Sequence, residues 1–108
     1  MCSSDLIVAG EIECDAVFAA NDMMALGCLQ ALRAAGIDVP GRIAVAGFDD
    51  VPLARYLGLT TIRVRIAEMG TRAVARLIDI LEGKGTDPGP ERHRAELVVR
   101  TTTEAPPG

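Results

Sequence analysis

The apolar positions follow two periods along the chain. Ala16 to Ala20 is a short apolar run centred on Val17 and Phe18; it passes straight into Asn21-Asp22 and then into a helical pattern from about Met23 to Ala35, closed by Gly36. That order predicts strand, tight turn, helix. Asn and Asp suit the turn because their side-chain oxygens accept unpaired N–H groups of a first helical turn, and Gly36 suits the left-handed position past the helix end. Met24, Cys28, Ala31, Leu32 and Ala35 make one apolar stripe at helical spacing. Met23, Ala25, Leu26 and Leu29 widen it and leave Gln30 and Arg33 as the clear water-facing groups. A helix apolar on most of its circumference is expected to be covered on more than one side.

After a return loop over Ile37 to Gly41, Ile43 to Phe48 is a continuous apolar run of the kind found in parallel sheets covered on both faces, and it stops at Asp49 and Asp50. Strand, crossover helix, strand predicts a right-handed βαβ unit with its two strands parallel and about 4.8 Å apart. Asn21 and Asp49 then stand at the carboxyl ends of neighbouring strands, facing one crevice, and that is where open α/β sheets bind ligands. Val51 to Leu57 reads as a short helix entered through Pro52, and Leu59 to Val64 as a short strand. A long helix follows over about Ile66 to Glu82, with Ile66, Met69, Ala73, Leu77, Ile80 and Leu81 on its apolar face. Gly83 to Arg94 is a polar loop, Ala95 to Thr101 a last strand, and Thr102 to Gly108 a Pro-containing tail expected to be disordered, with 104–108 beyond the core. No internal repeat is present.

Composition narrows the function. The 108 residues are 49% hydrophobic, enough for the core of one modest domain. Net charge is −4, from 11 basic and 15 acidic residues, and the basic residues are scattered, so this piece lacks the clustered positive face of a nucleic-acid binder. Cys2, Cys14 and Cys28 are odd in number and without metal-ligand spacing, which points to a reduced compartment, the cytoplasm. No apolar run approaches the roughly 18 residues of a membrane span, and Met1 to Gly10 lacks the pattern of a secretory leader. Residues 1–14 read as a remnant preceding the core, and Cys2 to Leu6 resembles the translation of a sequencing adapter, so Met1 to about Leu6 is expected to lie outside the fold.

The ordered set Asp15-Ala-Val-Phe-Ala-Ala-Asn-Asp-Met-Met-Ala-Leu-Gly27, Ala35-Gly36-Ile37, Val39-Pro40, Ile43-Ala-Val-Ala-Gly-Phe-Asp-Asp50, Pro52-Leu53-Ala54, Leu59-Thr-Thr-Ile-Arg63, Met69-Gly70 and Glu96-Leu-Val-Val-Arg100 resembles the LacI/GalR-type bacterial transcriptional regulators over about 15–103. The resemblance implies the C-terminal part of an effector-binding core with a type I periplasmic-binding-protein-like, Rossmann-like α/β fold, truncated here. It further implies a homodimer and a DNA-binding headpiece that this chain does not contain. By position, Asn21 and Asp49 match residues that face the effector, expected to be a sugar, and Met23 and Leu26 match positions of the dimer interface. Two departures stand out: Val64-Arg65 replaces the family's usual Gln-Pro, and Thr101-Thr102 follows Arg100 where a serine is usual two residues on.

The chemistry fits that role. One Asn amide both donates and accepts, and a carboxylate accepts from sugar hydroxyls with charge-assisted strength. Asp22 is read as the helix cap and Asn21 as the ligand contact; Asp50 is read as a cap for the Val51 helix, Met23-Met24 as core and interface, Tyr56 as a packing residue, and His93 as a solvated loop residue. A Mg²⁺-dependent phosphoryl-transfer enzyme is the weaker alternative, because no phosphate loop or nucleophile-base pair accompanies Asp22, Asp49 and Asp50. A periplasmic sugar receptor feeding a transporter is the closer one. No cofactor, metal or membrane partner is expected.

Overall fold

The computed structural model describes residues 3–84 and 89–104, with side chains from residue 5 onward. The elements run α1 (Ser3–Val8), β1 (Ala16–Phe18), α2 (Asp22–Ala34), β2 (Ala44–Ala46), α3 (Pro52–Tyr56), β3 (Thr61–Arg63), α4 (Ile66–Leu81) and β4 (Glu96–Val98). They fall into two compact units, Met1–Arg63 with Glu96–Gly108, and Val64–Ala95.

In the first unit β1 and β2 pair in parallel, Ala16 opposite Ala44 and Phe18 opposite Ala46, with α2 as the crossover between them. This is the expected βαβ unit. Parallel bridges from Ala46 to Thr60 and from Asp49 to Arg63 bring β3 alongside β2, and β4 pairs antiparallel to β3 with Thr61 opposite Val98. The strands are shorter than their apolar runs because the chain turns away at their ends; Ala19 N–H still donates to Ala46 O at 2.9 Å beyond the paired residues.

The core is Ala25, Cys28, Leu29, Leu32, Val39, Ile43, Val45, Ala54 and Leu59. Burying each of its large aliphatic side chains stabilises the unit by roughly 1.5–3 kcal/mol before conformational entropy is charged against it. On α2 the buried stripe is therefore Ala25, Cys28, Leu29 and Leu32, displaced from the one the spacing suggests. Met24 is 59% exposed and Tyr56 is 82% exposed, so neither packs as expected. Periodicity identifies a stripe, but where the sheet lies beneath a nearly all-apolar helix decides which stripe is buried.

Both ends of the expected core need correcting. Residues from Ser3 form α1, and Ile7 packs against the core, so this stretch belongs to the fold. At the other end Thr102 is fully buried: its hydroxyl donates to Val45 O at 2.7 Å and accepts Thr60 N–H at 2.9 Å, while Thr102 N–H donates to Gly58 O at 3.0 Å. A hydroxyl that donates and accepts at once links the middle of β2 to the residue ahead of β3, which composition alone does not reveal. Residues 105–108 of the expected tail lie outside the described residues.

The second unit is α4 and the segment after it. α4 has no buried residue; Ile66, Val74, Leu77 and Leu81 are all exposed. Its helical periodicity is as expected from the sequence. Residues 85–88 of the polar loop lie outside the described residues.

Candidate functional site

The chain leaves β1 into an extended residue, Asn21, whose φ of −153° and ψ of 170° suit an N-cap. Asn21 Oδ1 accepts Met24 N–H at 2.9 Å. The cap of α2 is thus Asn21, not Asp22, and the amide Nδ2 of Asn21 remains available to donate. Asp22 does something different. It is fully buried, its carboxylate accepts Val51 N–H at 2.8 Å and the Thr61 hydroxyl at 2.6 Å, and its own N–H donates to Phe48 O at 2.9 Å. A helix-start position one residue on points toward the sheet, so the buried partner goes to Asp22 and the cap to Asn21.

Asp49 and Asp50 form the turn after β2, with φ values of 123° and 59°. Two consecutive non-glycine residues at positive φ cost on the order of 1–3 kcal/mol each and persist only where the surroundings impose them. The surroundings here are specific. Asp49 N–H donates to Ile62 O at 2.9 Å, and Asp50 N–H donates to Thr61 Oγ1 at 3.3 Å. The Asp50 carboxylate, 11% exposed, accepts Arg63 Nε at 2.7 Å and Arg100 Nη2 at 2.9 Å. Burial pushes the Asp50 carboxyl up, but the hydrogen bonds and charges of Arg63 and Arg100 outweigh it and hold the group below its ordinary value of 3.8. Asp50 is therefore not the cap of α3, whose N-cap position is Val51 with no side-chain hydrogen bond.

Asp49 is half-buried, and among the described residues its carboxylate has no hydrogen-bond partner. Through the bond between Asp22 and Phe48, Asn21 and Asp49 stand at the same edge of the β1–β2 sheet. The edge offers an amide donor and a carboxylate acceptor, a pair suited to the hydroxyls of a polyol. The other two aspartates are committed, Asp50 to two guanidinium groups and Asp22 to a hydroxyl and an amide, and no three metal-ligating side chains come together among the described residues. The sequence reading missed Thr61, Arg63 and Arg100. Their signal was present, as a Thr at the head of a short strand and an Arg at the end of each strand beside a carboxylate pair.

Met23, 64% exposed, and half-buried Leu26 line a groove of about 690 Å³ on the outer side of α2, together with Gly27, Gln30, Leu53 and Leu57. Here lies the second apolar side that the composition of α2 required. In the second unit, Glu91 is paired with Arg72, with Arg76 at 3.5 Å and with His93 Nε2 at 3.5 Å. His93 is an exposed loop residue, as the sequence suggested, with Glu91 beside it.

A family model for the periplasmic binding protein-like domain matches residues 5–103. The chain is similar to the HTH-type transcriptional regulator MalR of Streptomyces coelicolor, with 42% identity over 98 residues, covering 89% of this chain and 28% of that protein. Among solved structures it resembles the lac repressor dimer bound to operator and an anti-inducer, with a TM-score of 0.83, 33% identity, and coverage of 95% of this chain and 31% of that one. It also resembles a LacI-family regulator from Arthrobacter sp. FB24 in complex with lactose, with a TM-score of 0.79, 34% identity, and coverage of 94% and 39%. The chain spans less than a third of the length of MalR.

Proposed function

This chain belongs to the LacI family of transcriptional regulators, as part of its periplasmic binding protein-like core, and from that premise we propose that it senses a small sugar held against Asn21 and Asp49. The observation that carries the reading is the placement on one sheet edge of an amide donor and a carboxylate with no partner among the described residues, each beside a neighbour engaged elsewhere. A sugar hydroxyl that donates to Asp49 and accepts from Asn21 Nδ2 satisfies both groups, and the bond to the carboxylate is charge-assisted.

In the intact regulator the ligand lies between two lobes, and its unequal affinity for two lobe arrangements shifts the protein between DNA-bound and released states. DNA contact is made by a helix-turn-helix headpiece outside this chain, the regulator works as a homodimer through the α2 groove at Met23 and Leu26, and it acts in the cytoplasm. The core performs no catalysis. A transport receptor of the same fold would use the same cleft, but the regulator MalR is 42% identical over nearly the whole chain, which favours regulation.

Calorimetry on the intact polypeptide that contains this chain tests the reading, with lactose, galactose, glucose and maltose as probes. At least one sugar is expected to bind; Asp49→Asn is expected to weaken it by roughly tenfold or more, since a charged hydrogen bond contributes about 1.5–3 kcal/mol, and Asn21→Ser, which keeps the cap oxygen, by about fivefold, since a neutral one contributes about 1 kcal/mol. Unchanged affinity in both variants would sink the assignment of the site.

A further inference from the structure

The two candidate ligand residues are not independent. Asn21 caps α2, Asp49 lies in the turn after β2, and the residue joining them is Asp22, which is fully buried. Its backbone N–H holds Phe48 O at 2.9 Å, and its carboxylate holds Val51 N–H at 2.8 Å, so Asp22 grips the Phe48–Val51 turn on both sides of Asp49. The second carboxylate oxygen takes the Thr61 hydroxyl at 2.6 Å, and Thr61 Oγ1 in turn accepts Asp50 N–H at 3.3 Å. Gly47 is tailored to this arrangement: a Cβ there would overlap Asp22 Oδ1.

We propose that Asp22 is the positioning residue of the effector site, a buried carboxylate that fixes the strained turn carrying Asp49 in one frame with the α2 cap Asn21. The inference rests on the effector reading for its consequence in ligand binding, and on geometry alone for its effect on the turn. A turn with φ of 123° and 59° at Asp49 and Asp50 relaxes once its clasps are removed. Asp49 then samples several orientations, and affinity falls by the fraction of time it is out of place. Alternative roles fit less well. A carboxylate with no exposed surface makes no direct ligand contact, and a residue whose oxygens are bonded outside its own helix is not a cap.

Hydrogen exchange and calorimetry on the intact polypeptide, with lactose and galactose as probes, separate the possibilities. Asp22→Ala is expected to speed amide exchange over 48–51 by about tenfold or more while α2 and the β1–β2 pair stay protected, and to weaken sugar binding by a similar factor although Asn21 and Asp49 are intact. Asp22→Asn, which keeps an acceptor for Val51 N–H and a partner for Thr61, is expected to restore most of both. If Asp22→Ala does not fold, Thr61→Val removes one clasp and is expected to give a smaller acceleration confined to the same turn. Exchange over 48–51 that matches the wild type in folded Asp22→Ala, or in folded Thr61→Val if Asp22→Ala does not fold, overturns the proposal. Asn21→Ser and Asp49→Asn identify the other failure: if neither changes sugar binding, the effector reading falls, and the exchange result decides the role of Asp22 in the turn by itself.

Discussion

The Asp50 carboxylate sits between Arg63 Nε at 2.7 Å and Arg100 Nη2 at 2.9 Å, beside a residue held at positive φ. Burial would raise its pKa, yet the two arginines prevail and the folded value lies below the ordinary 3.8. A depressed carboxylate contributes stability that is present above its unfolded pKa and is lost as pH falls through its folded pKa. Asp50→Asn is therefore expected to be less stable than the wild type at about pH 6, with the gap closing as pH drops below about 4. Urea midpoints for both proteins across that range are the measurement, and a gap independent of pH would show that the charge of Asp50 is not what holds the turn. At this scale the residue types in Asn21-Asp22 and Asp49-Asp50 were readable from the chain as caps or ligands. Which of each pair takes which role depends on the orientation of single side chains, and that is set by partners tens of residues away, such as Thr61 and Arg100.

α2 and α4 were both legible as helices because their apolar residues recur at helical spacing, yet their apolar faces meet different fates. In α2, Leu32 is fully buried and Leu29 nearly so against the sheet. In α4, Leu77 is 56% exposed and Leu81 is 77% exposed. Leu32→Ala is expected to cost about 2–5 kcal/mol in the chain of 108 residues, the range for a buried leucine that leaves a cavity. Leu77→Ala is expected to stay within about 0.5 kcal/mol there, as surface changes do. Chemical denaturation of the two variants decides it, and a large loss from Leu77→Ala would mean that α4 buries this face in solution. Strand extents were less readable than helices. The apolar runs overshoot the paired residues because pairing ends where the neighbouring backbone diverges, a property of two segments at once.

For the assembled regulator, the groove at Met23 and Leu26 carries the prediction. Met23 is 64% exposed on a helix otherwise rooted in the core, so Met23→Asp is expected to leave the fold intact while placing a charge in the proposed dimer contact. Desolvating an unpaired carboxylate costs several kcal/mol. Sedimentation of the intact polypeptide is expected to show a dimer for the wild type and a shift of at least tenfold toward monomer for Met23→Asp. A dimer unaffected by the charge would move the interface elsewhere.

The α/β class, the parallel βαβ order, the positions of α2, α3 and α4 and the family were all determined by the chain itself, because periodicity, turn chemistry and ordered motifs are local properties that survive without knowledge of neighbours. The tertiary structure decided the rest: that Asn21 caps while Asp22 is buried, that Asp50 is bound by two arginines while the Asp49 carboxylate has no partner among the described residues, that Thr102 belongs to the core, and that Met24 faces outward. Each of these turns on a partner distant in sequence. A side chain's burial and hydrogen bonds are set by what the fold brings to it, and residue type alone does not carry that information.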